Sequence, residues 1–184
     1  MTVLTPANQL TLVRVLLIPF FVILTVYGHL GWALIVFFVA GLTDLFDGLL
    51  ARTISQRTSL GTWLDPVADK LLLVTTFGVL TVPGLGLVNR LPLWLTILII
   101  SRDVLIVLTV AVINLAMGRR EFRPSIFGKI ATATYIVTCV IIMFFNYLQR
   151  TSWMVTLGIW SSLVITLVSG FHYVFSIKLE SPKA

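Results

Sequence analysis

The chain has 184 residues, of which 58% are hydrophobic and only 11% are charged. Soluble domains carry about 25% charged residues, so this composition excludes an ordinary water-soluble fold and favours a compact membrane protein. Lys and Arg number 13 against 7 Asp and Glu, a net charge of +6. Such an excess fits cytoplasmic loops, an anionic substrate or both, whereas the lack of a soluble basic face argues against nucleic-acid binding.

Six apolar runs follow one another along the sequence, and about 20 apolar residues suffice to cross a bilayer. The runs cover residues 10–28, 30–51, 62–84, 92–117, 126–148 and 152–176. Basic residues concentrate in or beside the second and fourth loops and in the C-terminal tail: Arg52, Arg57, Arg119, Arg120, Arg123, Lys129, Lys178 and Lys183. The positive-inside rule therefore predicts that both termini and these loops face the cytoplasm. We expect an all-α polytopic fold with residues 1–184 as one domain and residues 1–9 as a short interfacial segment.

Four of the acidic residues lie near the loop between the second and third runs, where buried ionisable groups indicate function. Asp44 and Asp47 are three residues apart and Asp65 and Asp69 are four apart, so each pair lies on one helix face. Because the connecting loop is short, the two helices should be antiparallel neighbours with converging carboxylates. Such carboxylates repel unless they are protonated or bind a divalent cation. An all-oxygen site suits Mg²⁺, Mn²⁺ or Ca²⁺, and four acids suffice for two ions that act in a phosphoryl displacement.

The same residues allow a purely structural interpretation. The acids could form salt bridges at the helix ends with Arg52, Arg57 or Lys70. The small residues nearby can simply let membrane helices approach closely, or they can let a ligand reach the backbone: Gly41, Gly48, Ala51 and Gly61. Arg52 lies four residues after Gly48, so its guanidinium could share that face and hold a phosphate bidentately.

The motif Asp44-x2-Asp47-Gly48-x2-Ala51-Arg52-x8-Gly61-x3-Asp65-x3-Asp69 matches all eight fixed positions of the CDP-alcohol phosphotransferase signature. The segment Pro6–Arg14 is similar to the N-terminal segment of the same family, and the six apolar runs cover the rest. The chain therefore resembles CDP-alcohol phosphatidyltransferases over nearly its whole length.

The resemblance implies a role for each matching position. Asp44, Asp47, Asp65 and Asp69 correspond to ligands of Mg²⁺ or Mn²⁺, in a site for two ions, and Asp69 also corresponds to the general base. The implied CDP-binding residues are Asn8, Asp44, Gly48, Ala51, Arg52 and Gly61. The family fold implies six transmembrane helices around a polar cavity open to the cytoplasm, in the cell (inner) membrane and as a homodimer. The implied reaction moves a phosphatidyl group from CDP-diacylglycerol to a small alcohol and releases CMP.

The acceptor alcohol is indicated by cations outside the motif. Arg102 lies within the fourth run, where an arginine usually faces a polar cavity, and its simplest partner is Asp103 or a motif acid. It can otherwise join Arg119, Arg120 and Lys129 in a pocket for the phosphate of an acceptor, although the loop arginines also suit topology and contact with membrane lipids. The resemblance favours glycerol 3-phosphate as acceptor, with phosphatidylglycerol or an inositol phosphate as alternatives.

Two functions other than phosphatidyl transfer could also involve buried acids. A cation channel or transporter would explain buried acids, but it would not explain the spacing of Gly48, Ala51, Arg52 and Gly61. A catalytically inactive scaffold subunit is disfavoured because the set of acids is intact.

Overall fold

A computed structural model describes residues 6–53, 59–117 and 126–179 of the chain. These residues form six α-helices and no strand: α1 (Pro6–Val26), α2 (Leu30–Thr53), α3 (Ser59–Thr81), α4 (Leu93–Met117), α5 (Ile126–Tyr147) and α6 (Trp153–Leu179). The description of side chains leaves out residues 6–8, 44–53, 59–67 and 69 and several residues near the C-terminal ends of α4 and α6. The all-α prediction is confirmed for the described part of the chain.

Two helix ends differ from the predicted runs because of proline and glycine. α1 begins at Pro6, because proline suits the first position of a helix, where no backbone N–H is needed. The interfacial segment predicted for residues 1–9 stays a prediction: residues 1–5 lie outside the described residues, and residues 6–9 form the first turn of α1. α3 ends at Thr81, before the predicted residue 84, because Pro83 cannot continue a helix and Gly84 adopts a φ of 92°.

Three of the described helices are long and apolar enough to cross a membrane, over Gln9–Val26, Ile126–Tyr147 and Trp153–Tyr173. Shorter apolar segments cover Leu30–Thr43 and Lys70–Thr81. Large apolar side chains are exposed along these helices, such as Leu16, Phe20 and Phe171, as expected where lipid replaces water. The chain is a membrane protein, and six spans remain a prediction.

The chain divides into two compact units. Unit 1 comprises Met1–Arg90 with Ile142–Thr151, and unit 2 comprises Leu91–Ile141 with Ser152–Ala184. Within unit 1, α1 packs against both α2 and α3. Its buried residues recur every three or four positions, which is the period of one helix face: Thr11, Arg14, Ile18, Phe21 and Thr25.

At the end of unit 1 that carries the α1–α2 turn, Asn146 and Asn89 form hydrogen bonds with each other. Asn146 is fully buried, and its Oδ1 accepts a hydrogen bond from the Asn89 backbone N–H at 2.7 Å. Its Nδ2 donates to the Asn89 carbonyl oxygen at 2.8 Å. The Asn89 side chain in turn donates to the Arg150 carbonyl oxygen at 2.7 Å. The segment before α4 is thereby joined to the C-terminal end of α5.

Unit 2 contains buried polar residues on one face of α6: Ser162, Thr166 and Ser169. The Thr138 hydroxyl of α5 lies 3.0 Å from the Ser162 hydroxyl, and the Tyr135 hydroxyl lies 2.6 Å from that of Thr166. A Cβ added to Gly158 would lie 3.1 Å from the Thr138 methyl, so glycine is what allows α5 and α6 to approach this closely. Hydrogen bonds of this kind fix helices against each other in lipid.

Candidate active site

The backbone places the predicted aspartates on two helices. Asp44 and Asp47 lie near the C-terminal end of α2, and Asp65 and Asp69 lie in the N-terminal half of α3. Since these segments are helical, the two residues of each pair lie on one face about 5–6 Å apart at Cβ. The four side chains lie outside those that the structure describes, so their convergence stays a prediction. The same holds for the side chains of the other predicted CDP-binding residues, Asn8, Gly48, Ala51, Arg52 and Gly61.

Helix α1 is the element that relates α2 to α3, because it packs against both. Its register with α2 follows from the Phe21 and Phe37 rings, whose centroids are 5.9 Å apart. α1 and α2 are joined by a tight turn and run antiparallel, so equal numbers of residues from this contact reach the same level. Arg14 lies seven residues before Phe21 and Asp44 seven after Phe37. Arg14 is therefore level with Asp44, and Thr11 with Asp47.

No role of its own was predicted for Arg14. Its side chain is fully buried, although a guanidinium in an apolar interior is costly unless it has opposite charge nearby. A position level with Asp44 supplies a reason for a buried cation there. An arginine inside an apolar run was the available signal, since such residues are rare in spanning helices and mark functional sites.

Gly41 lies on the acid-bearing face of α2. Gly41, Asp44 and Gly48 follow one another at spacings of three and four residues and so lie on one face. A Cβ built on Gly41 would meet no described atom within 4 Å. On α3, the position of Asp65 belongs to the same face as the buried residues Ala68 and Leu72.

The donor chemistry of the four aspartates fits a hard divalent cation. Carboxylate oxygens are the ligands that Mg²⁺ and Mn²⁺ prefer, and spacings of three and four residues offer two of them per helix. These four residues could therefore hold a metal.

Arg102 occupies a second polar site, within unit 2. Its Nη1 donates to Asp103 Oδ1 at 2.7 Å, and its Nη2 donates to the Ser169 hydroxyl of α6. The Arg102 side chain is only 12% exposed, and its buried Nε has no hydrogen-bond partner among the described residues. Asp103 or a motif acid was the simplest partner predicted for Arg102, and the pairing with Asp103 is confirmed. Ser169 was not foreseen.

The remaining predicted cations differ in what the structure shows of them. Lys129 lies in the first turn of α5 and is exposed. Arg119 and Arg120 lie outside the described residues. A common pocket for Arg102, Arg119, Arg120 and Lys129 therefore stays a prediction.

Comparison with known proteins gives independent findings on relatives. The chain is 32% identical over 177 residues to a protein of Mycobacterium tuberculosis (strain ATCC 25618 / H37Rv) named probable phosphatidylglycerophosphate synthase, covering 91% of this chain and 79% of that protein. It is 31% identical over 194 residues to the CDP-diacylglycerol–glycerol-3-phosphate 3-phosphatidyltransferase of Bacillus subtilis (strain 168), covering 96% of each. A cardiolipin synthase (CMP-forming) of Streptomyces coelicolor is 34% identical over 139 residues, covering 71% of this chain and 60% of that protein.

The family model described as CDP-alcohol phosphatidyltransferase matches residues 4–173. The match contains α1 to α5 and most of α6, and therefore the aspartate motif, Arg14 and Arg102. A membrane transferase of phospholipid synthesis accounts for the apolar helices and for the acids they carry. The chain belongs to the CDP-alcohol phosphatidyltransferase family.

Proposed function

We propose that the chain transfers the phosphatidyl group of CDP-diacylglycerol to glycerol 3-phosphate, giving phosphatidylglycerophosphate and CMP. The observation that carries the proposal is the complete aspartate motif on α2 and α3, on helices that α1 relates through a buried arginine level with Asp44. Glycerol 3-phosphate is favoured because the relatives from M. tuberculosis and B. subtilis match over most of both chains.

In the proposed mechanism, Asp69 accepts the proton of the acceptor hydroxyl. The acceptor oxygen then forms a bond to the phosphorus that carries diacylglycerol, while the bond from that phosphorus to the bridging oxygen breaks and CMP leaves. Positioning and electrostatic stabilisation supply most of the rate in phosphoryl transfer. Asn8, Gly48, Ala51, Arg52 and Gly61 orient the CDP group in this proposal, with the guanidinium of Arg52 on its phosphates.

Asp44, Asp47, Asp65 and Asp69 would hold Mg²⁺ or Mn²⁺, two ions in our proposal, which when bound neutralise negative charge on the diphosphate. Arg14 complements this charge from within the protein, because it is buried at the level of Asp44. The acids can then remain ionised, and Asp69 is able to act as a base.

The phosphate of the acceptor is bound in this proposal by Arg102, with Arg119, Arg120 and Lys129. Arg102 is suited to the task because a guanidinium has five N–H donors in a planar fork and only Asp103 and Ser169 are its described partners. Each terminal nitrogen of the guanidinium carries a second N–H besides the one bonded to Asp103 or Ser169, and a phosphate oxygen can accept from it.

The proposal extends to the setting of the enzyme. Six helices cross the cell membrane with both termini and the active site on the cytoplasmic side, in keeping with the basic loops. The acyl chains of the donor stay in lipid while its head group enters the cavity. A homodimer is proposed from the family resemblance alone.

A panel of acceptors tests the proposed reaction. Purified chain in detergent receives CDP-diacylglycerol, Mg²⁺ and either glycerol 3-phosphate, phosphatidylglycerol or inositol phosphate, with CMP release and the lipid product measured. We expect CMP and phosphatidylglycerophosphate with glycerol 3-phosphate and little turnover with the other two. Cardiolipin formed from phosphatidylglycerol would establish the second candidate, which the S. coelicolor relative favours. Absence of turnover with every acceptor would return the channel or transporter to consideration.

A further inference from the structure

The buried polar face of α6 ends at the arginine that we assign to the acceptor. Ser162, Thr166 and Ser169 follow one another at spacings of four and three residues, and each is at most 2% exposed. Their hydroxyls lie against Thr138, Tyr135 and Arg102, respectively. Three successive turns of α6 are thus held by polar contacts with α5 and α4. This face, defined here as the α6 polar face, fixes both the rotation and the height of α6 within unit 2.

At the end of this face, the Arg102 guanidinium donates hydrogen bonds to two residues. Asp103, the next residue on the same helix, accepts from Nη1. Ser169 accepts from Nη2 across the helix interface, and Gly170 brings the α6 backbone close, since a Cβ there would lie 3.9 Å from Arg102 Cγ. The long arginine side chain is therefore held at both terminal nitrogens, while its buried Nε has no hydrogen-bond partner among the described residues.

We propose that Ser169 is a positioning residue that orients the Arg102 guanidinium for the phosphate of the acceptor. This inference rests on the proposed role of Arg102 in acceptor binding. An unrestrained arginine has many rotamers, and fixing it in advance lowers the entropy that binding must otherwise overcome. The Ser169 hydroxyl provides this restraint without adding a second negative charge beside that of Asp103. Asp103 alone could not do so, because one contact leaves the planar group free to swing about it.

Removal of the Ser169 hydroxyl should weaken acceptor binding and leave donor binding intact. In the Ser169→Ala variant we expect the KM for glycerol 3-phosphate to rise about tenfold, as for loss of one hydrogen bond to a charged group. The kcat should change by less than about threefold. The KM for CDP-diacylglycerol should stay at the wild-type value. Ser169→Thr keeps the hydroxyl and should restore most of the acceptor affinity.

Ser161→Ala is the matched control on the same helix. The Ser161 hydroxyl donates to the Gly158 carbonyl oxygen at 2.9 Å within α6, so its removal should change neither KM. Arg102→Lys tests the premise, because it keeps the charge and loses the planar fork. The KM for glycerol 3-phosphate should rise in this variant at least as much as in Ser169→Ala.

The variants separate the inference from the proposed function. If Arg102→Lys raises the KM for glycerol 3-phosphate and Ser169→Ala does not, Ser169 has no positioning role while the assignment of Arg102 stands. If Ser169→Ala raises the KM for donor and acceptor equally, its role is structural and the inference is wrong. If wild-type enzyme uses phosphatidylglycerol instead, the proposed acceptor is wrong, and the same variants assayed with phosphatidylglycerol test Ser169. Should Ser169→Ala fail to fold, Ser169→Cys gives the same comparison. It nearly keeps the side-chain volume, and its sulfur is a weaker hydrogen-bond acceptor for Arg102 than the serine oxygen.

Discussion

The Asn146→Ala substitution is expected to destabilise unit 1 by about 3 kcal/mol. It removes the 2.7 Å and 2.8 Å hydrogen bonds between the Asn146 amide and the backbone of Asn89. The N–H and carbonyl of Asn89 would then lose these partners in a position where Asn89 is only 7% exposed. Each buried group left unsatisfied costs about 1–3 kcal/mol. For a chain of this size, 1 kcal/mol corresponds to roughly 2–4 °C in the unfolding midpoint, so a fall of about 6–12 °C is expected.

The assay is thermal unfolding of the purified protein in detergent, followed by loss of helical circular dichroism. Asn89→Ala is the matched control, because it removes the side-chain bond to the Arg150 carbonyl oxygen and the longer one, at 3.5 Å, to Asn146 Oδ1. It leaves both backbone groups of Asn89 bonded to Asn146. It should lower the midpoint by no more than a third as much. Equal shifts in the two variants, or no shift in Asn146→Ala, would refute the argument that backbone satisfaction by Asn146 holds this end of the unit.

Two further predictions concern unit 1. Gln149 has a φ of 52°, which glycine adopts at less cost. Gln149→Gly should therefore raise the unfolding midpoint by about 1–3 °C. A lower midpoint would show that the hydrogen bond from the Gln149 side chain to the Asn146 carbonyl oxygen contributes more stability than the strained φ costs. Arg14→Met removes a buried cation level with Asp44, so it should destabilise the metal-free protein by about 3 kcal/mol and much less with saturating Mg²⁺. Unfolding with and without Mg²⁺ measures the difference, and an equal loss in both would contradict the charge argument.

The number and order of the helices could be predicted from the lengths of the apolar runs and from the helix-breaking residues between them. Each predicted run corresponds to one described helix, because about 20 apolar residues between polar loops have few other solutions in lipid. Two of the differences at the helix ends follow from backbone rules. Pro6 extends α1 towards the N-terminus, and Pro83 with Gly84 ends α3 early.

The candidate site was predictable to the extent that it is local. Spacings of three and four residues placed each aspartate pair on one helix face, and Arg102 next to Asp103 made an ion pair the simplest expectation. The contact between Arg102 and Ser169 could not be predicted, because it joins residues on helices that are far apart in sequence. A hint existed in the spacing of Ser162, Thr166 and Ser169, three small hydroxyls on one face of an apolar helix. Their partners depend on how α4, α5 and α6 pack.

Turnover by the Asp69→Asn variant tests most directly whether the acids form a catalytic site. CMP release from CDP-diacylglycerol with glycerol 3-phosphate is measured over a range of Mg²⁺ concentrations, beside equilibrium binding of the donor. We predict that wild-type turnover requires Mg²⁺ and that the variant loses a factor of about 10²–10⁴ or more in kcat, while donor binding is partly kept. Wild-type turnover without any divalent ion, or full activity of Asp69→Asn, would contradict the metal-binding and general-base roles proposed for these residues.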